Sequence, residues 1–309
     1  MPFISIVTPC FNEEENIEKV YQKVKEIFDT LRDYAYEHIF IDNASTDKTL
    51  EILKSIANQD KNVKIIVNSR NFGHLRSPFY ALFQAKGDAV VLLSADLQEP
   101  PSLIPEFIKK WEEGFKVVIA VKKESQESRI IFYLRKLYYN LISKLSEIEL
   151  IKDFSGSGLY DRVIINIIKN LNDPYPYFRG IISEIGFEKA IVEYVQSKRI
   201  KGKTKNNFYT LYDLGMLGLT SYSKVPLRVA TLSGFIMSLV SLLIALGYFI
   251  YKILFWQRFS LGIAPLIIGL FFFSSIQLFF LGLLGEYIGT IYTKVLNRPL
   301  VIEKERINF

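Results

Sequence analysis

The chain has 309 residues, 50% of them hydrophobic, with a formal net charge of +6, one cysteine and two histidines. That length allows one or two domains with a real core. The lone Cys10 excludes an internal disulfide framework, and His38 and His74 lack zinc-type spacing. Nucleic-acid binding is disfavoured because the basic residues crowd beside two charge-free stretches late in the chain.

Residues 3–8, "FISIVT", read as a strand. Asn12 is expected to cap the following helix, with Glu15 completing a capping box, and Ile17, Val20, Tyr21, Val24, Ile27, Phe28 and Leu31 form its apolar stripe. "HIFID" (38–42) is the second strand and feeds the turn "NASTDKT", where Asp47 is expected to cap the next helix. "VKIIVNS", "AVVLLSAD" and "FKVVIAV" are the third to fifth strands. Strands alternating with helices imply right-handed crossovers and a mainly parallel α/β sheet. Ligand residues then gather at the strand C-termini, where Asn12, Glu13, Asp42 and Asp96 fall.

Beyond residue 125 the pattern changes. Residues 130–145 and 207–222 are apolar, aromatic helical segments that suit either core packing or the membrane interface. Residues 229–251 and 259–285 carry no charge at all. As helices they would reach about 34 and 40 Å, against roughly 30 Å of hydrocarbon, so they read as a two-helix transmembrane hairpin. Lys198, Arg199, Lys201, Lys203, Lys205, Lys224 and Arg228 precede it, and Lys294, Arg298, Lys304 and Arg306 follow. The positive-inside rule then puts the large N-terminal domain and both termini in the cytoplasm, at the inner (plasma) membrane. No signal peptide is read before the first strand, so targeting rests on the hairpin. The expected organisation is a cytoplasmic domain (1–206), a juxtamembrane interface helix (207–227), two transmembrane helices (228–290) and a cytoplasmic tail (291–309).

The ordered motifs "VTPCFNEEENI", "IDNASTDKT", "RNFGH", "SADLQEPP", "DFSGSGLYDR", "FRGIISEIGF" and "RIKGKTK" carry a further reading. Together they resemble family-two inverting glycosyltransferases of the GT-A (Rossmann-like) fold. More narrowly, they resemble the polyprenyl-phosphate group that contains bactoprenol glucosyltransferases and dolichol-phosphate mannose synthases. The resemblance implies transfer of a sugar from a nucleotide-diphosphate sugar, with UDP-glucose first, to undecaprenyl phosphate, for modification of a cell-envelope glycan. It also implies a bilayer-bound homotetramer. A processive polysaccharide synthase and a non-catalytic nucleotide-sugar-binding scaffold stay open as alternatives.

Carried onto this sequence, the resemblance implies a donor site of Pro9, Phe11, Glu13, Asp42, Ser94 and Ala95. Mg²⁺ or Mn²⁺ would be held by Asp96 with the amide oxygen of Gln98. Ser94 departs from the family's first acid, and Ser94→Asp is therefore expected to tighten the metal. Asp153 matches a catalytic position. Arg129, Arg135, Arg199 and Lys205 are candidate phosphate ligands. A phosphate monoester is largely dianionic at pH 7 and needs no general base to attack, so Asp153 is read as orienting the acceptor.

Overall fold

The apolar runs near the N-terminus form strands because both faces of a parallel sheet are covered, leaving no place for a polar alternation. The computed structural model describes residues 1–124, 151, 154–196, 208–255 and 263–309. Its strands are β1 (Phe3–Cys10), β2 (Ala35–Asp42), β3 (Val63–Asn68), β4 (Ala89–Leu92), β5 (Val117–Glu124), β6 (Phe154–Asp161), β7 (Lys189–Val195) and β8 (Glu303–Ile307). They make one sheet in the order β7-β5-β6-β4-β1-β2-β3-β8. The pairs β1–β2, β1–β4, β2–β3 and β5–β7 are parallel, whereas β6 and β8 pair antiparallel to their neighbours. This is the mixed, mainly parallel α/β sheet that the motif order implies. β6, β7 and β8 were not foreseen from the alternating pattern.

Helices α1 (Ile17–Thr30), α2 (Thr49–Gln59), α3 (Gly73–Gln84), α4 (Ile104–Glu112), α5 (Arg162–Leu171) and α6 (Phe178–Glu184) cover both faces. On one face Ile4 and Ile6 pack with Val20, Val24, Leu53 and Phe107; on the other Val7, Ile39 and Ile41 pack with Phe79, Leu82 and Ile165. Asn12 does not cap α1, which begins only at Ile17. A left-handed backbone at Asn12 (φ 55°) turns its side chain to Thr46 instead.

His38 is fully buried inside this sheet, its Nε2 2.9 Å from Thr8 Oγ1. Burial pushes its imidazole down from 6.5 to about 3. Between those values the unfolded chain holds the extra proton, so this stability is complete above about pH 6.5 and declines as pH falls towards 3. Thermal midpoints measured from pH 8 to 4 should therefore fall more steeply for the native protein than for His38→Gln, by up to about 1.4 kcal/mol per pH unit. Parallel curves would remove His38 as the cause.

The later helices are α7 (Phe208–Tyr222), α8 (Val225–Leu254) and α9 (Ile263–Val295). On α7, Leu217 packs on Tyr177 of the domain while Tyr212 is exposed, so this helix joins the domain along part of its surface. Stretches Val225–Tyr251 and Gly269–Val295 are long and apolar enough to cross a membrane. The second extends about ten residues beyond the charge-free run. Glu286, which ends that run, accepts a hydrogen bond from Tyr212 at 2.9 Å, and Ile288, Ile291 and Tyr292 continue the apolar exterior beyond it. Residues of the expected tail (291–309) join the sheet. Ser69 N donates to Ile302 O at 2.9 Å, β8 pairs with β3, and Asn308 Nδ2 donates to Ala57 O and Val63 O at 2.7 and 2.9 Å. The residues after α9 complete the sheet, because the β3 edge offers them free backbone partners.

Candidate functional site

The site is assembled where β1, β2 and β4 end. After β1, Asn12 N donates to Ser45 Oγ (2.9 Å) and Asn12 Oδ1 accepts from Thr46 N (2.7 Å). Glu13 N donates to Thr49 Oγ1 at 2.8 Å, which ties the same two loops together. The N-cap position of α2 is Lys48 and not Asp47, but Asp47, one residue earlier, accepts from Thr49 N at 3.0 Å through its Oδ1. Asn43 links the second layer of the site: its Nδ2 donates to Asn71 Oδ1 (2.9 Å), while its Oδ1 accepts from Asn68 Nδ2 (3.0 Å) and Phe72 N (2.9 Å). Gly73 follows with φ 87°, a conformation that a β-carbon would strain.

These loops enclose a cavity of about 510 Å³. Pro9, Phe11, Glu13 and Ser94 of the expected donor site line it, joined by Asn71, His74, Ser155, Ser157, Tyr177 and Arg179. Ala95 is buried beside Ser94 and does not line the cavity. Asp42 is not in the lining either. It is fully buried, and its carboxylate accepts from Ser45 N at 3.1 Å, making the turn that presents Asn43. Burial pushes the Asp42 carboxyl up, partly offset by the hydrogen bonds from Ser45. His74 is held below the usual imidazole range by burial and then by the Arg179 charge.

Asp96 sits one turn beyond Ser94, half-buried, and its Oδ1 accepts from Gln98 N at 3.1 Å. Leu97 between them has φ 56°, which turns the chain sharply after the aspartate. Ser94 does not point its hydroxyl at Asp96. It donates to Glu99 Oε2 at 2.6 Å, and Glu99 is only 4% exposed. Ser155 and Ser157 of β6 donate to the same carboxylate, and Tyr194 of β7 does so at 3.4 Å. Glu99 was missed in the sequence because its hydroxyl partners are distant in the chain. The paired serines of "DFSGSG" on one strand face were the available signal. Asp153, Arg129, Arg135, Arg199 and Lys205 lie outside the described residues.

Among the described residues no three His, Cys, Asp or Glu side chains are grouped to hold a metal. A hard divalent ion held by one carboxylate needs its other oxygens from water or a ligand's phosphates. Asp96 and the Gln98 amide offer oxygen donors of the right kind, so the set fits Mg²⁺ or Mn²⁺ shared with a phosphorylated ligand.

The family model for glycosyl transferase family 2 matches residues 5–168. The chain belongs to this family. The family-two transferase is 38% identical to an uncharacterized glycosyltransferase of Bacillus subtilis, YkcC, over 96% of this chain and 92% of that one. It is 36% identical to the SfII prophage-derived bactoprenol glucosyl transferase of Shigella flexneri, over 98% and 97% of the two chains. Its fold is similar to that of glucosyl-3-phosphoglycerate synthase from Mycobacterium tuberculosis, solved with Mn²⁺, UDP and phosphoglyceric acid. That likeness has a TM-score of 0.51 at 22% identity and covers 71% of this chain and 76% of the other.

Proposed function

We propose that this family-two glycosyltransferase moves glucose from UDP-glucose to undecaprenyl phosphate, with inversion, at the cytoplasmic face of the plasma membrane. The observation that carries the reading is the position of the cavity. It opens at the ends of β1 and β4, and its wall residue Tyr177 packs on Leu217 of α7, the helix that leads into α8. A donor bound there lies beside the chain's route to the bilayer. The near-full-length likeness to a bactoprenol glucosyl transferase supports the acceptor.

Within this reading, Pro9, Phe11 and Glu13 hold the nucleotide, and Asp42 shapes the neighbouring turn whose Ser45 ties down their loop. Asp96, with Gln98, would hold Mg²⁺ or Mn²⁺. Such an ion, when bound, offsets the negative charge that builds on the leaving diphosphate. Arg129, Arg135, Arg199 and Lys205 lessen repulsion between the acceptor phosphate and the donor, and Asp153 orients that acceptor. The acceptor supplies its own nucleophilic oxygen as a dianion. Pairing of β8 with β3 supports a topology in which α8 and α9 cross as a hairpin and return the chain to the domain's side. A homotetramer is part of the same proposal.

Purified full-length protein, given undecaprenyl phosphate, Mg²⁺ or Mn²⁺ and a panel of nucleotide sugars, should yield a lipid-linked monosaccharide, fastest with UDP-glucose. A different preferred sugar would change the donor alone. A polymeric product would establish a synthase instead, and absence of any lipid-linked sugar would overturn the acceptor.

A further inference from the structure

Glu99 is a buried carboxylate with no part in the chemistry above, yet it gathers hydroxyl groups from three separate places. Ser94 reaches it from the loop after β4, Ser155 and Ser157 from β6, and Tyr194 from β7. Alternation along β6 explains the serine pair: residues two apart share a face, while Gly156 between them turns to Phe178 with φ 108°. Four hydroxyl groups converge on the two Glu99 oxygens, each with the carboxylate as acceptor.

A consequence follows for the cavity. A serine hydroxyl has one proton and two lone pairs. When the proton is committed to Glu99, only lone pairs are left to face the cavity that Ser94, Ser155 and Ser157 line, and one lone pair of Ser155 already accepts from Ser157 N at 3.4 Å. The three serine hydroxyls therefore act towards the cavity as acceptors, which suits neutral hydroxyl groups and disfavours phosphate oxygens. Cationic character in the same lining comes from elsewhere, from Arg179 beside His74. The cavity thus has a hydroxyl-accepting wall distinct from its cationic part.

We propose that Glu99 fixes Ser94, Ser155 and Ser157 as hydrogen-bond acceptors, and that the wall they form recognises the hydroxyl groups of the transferred sugar. Glu99 is a positioning residue here, and the serines determine donor specificity. The inference rests on the nucleotide-sugar reading of the site.

The test uses the full-length protein with UDP-glucose and its monodeoxy analogues, comparing kcat/KM, with UDP affinity measured separately by calorimetry. The native protein should reject at least one deoxy analogue by about tenfold, the size of a lost neutral hydrogen bond or slightly more. Ser155→Ala/Ser157→Ala should bring that ratio to within about twofold while UDP binds as before. Glu99→Gln should do the same with every serine present, because its amide nitrogen donates where the carboxylate accepted and turns a serine proton outward. Discrimination unchanged in both variants would overturn the proposal and leave the transferase reading intact. A shift in Mg²⁺ or Mn²⁺ dependence without a change in sugar discrimination would also overturn it, assigning the wall to a hydrated ion. Failure of the native protein to use any nucleotide sugar would overturn the transferase reading, and this wall's role with it.

Discussion

Asp96→Asn should lower the transfer rate by a factor on the order of 10² to 10³, the range expected when one strong electrostatic contact to the reacting groups is removed. Asp96 is half-buried on the loop after β4, with its Oδ1 accepting from Gln98 N. Asparagine can keep that turn through its own side-chain oxygen, so the fold should survive while the charge is lost. Ser94→Ala should be much milder, on the order of 1 kcal/mol and under tenfold in rate. Transfer rates against Mg²⁺ and Mn²⁺ concentration separate these outcomes. Near-normal, metal-dependent turnover by Asp96→Asn would mean that the ion is held elsewhere.

Ser94→Asp should damage the protein, the reverse of what the family pattern alone suggests. The Ser94 hydroxyl lies 2.6 Å from Glu99 Oε2, so a carboxylate there meets another carboxylate that is 4% exposed. At about 4 Å and an effective dielectric constant near 20, two like charges repel by about 4 kcal/mol. Relaxation towards solvent lessens this, since Ser94 is only half-buried, but the lost hydrogen bond to Glu99 adds to it. The thermal midpoint should drop by several degrees and the rate should fall with it. The double variant Ser94→Asp/Glu99→Gln should recover much of the midpoint, because the amide can donate to the new aspartate. A single variant with unchanged midpoint and tighter Mn²⁺ binding would show that the Ser94–Glu99 contact has no such weight.

The first five strands could be read from sequence because burial on both faces writes them as mostly apolar runs, "FISIVT" and "AVVLL" among them. β6 could not be read that way. Its "FSGSGLYD" has weak strand propensity and is extended because β4 and β5 pair with it on either side. β8, "EKERI", is charged, as suits an edge strand; its partner β3 is nowhere near it in sequence. That Pro9, Phe11, Glu13 and Ser94 belong together was legible through their motifs, and the structure brings them to one cavity. Glu99 was not, since an acid before two prolines reads as a loop residue until the serines and tyrosine that surround it are in place. Asp42 was legible as a strand-end acid, but not its burial beneath the turn it forms.

The pairing of β8 with β3 also sets an order of events during biosynthesis. Residues 63–68 are made early, whereas residues 303–307 follow on the order of 200 residues later, after both long apolar helices. At about 5 to 20 residues per second, translation leaves the outer edge of β3 without its partner for on the order of ten seconds or more. Throughout that interval the nascent domain exposes a row of backbone donors and acceptors of the kind that recruits wrong strands. The domain therefore stays open along one side while the rest of the chain is made. Closure comes only when the polypeptide has passed through α9 and returned, so both long apolar helices are made before the sheet is finished.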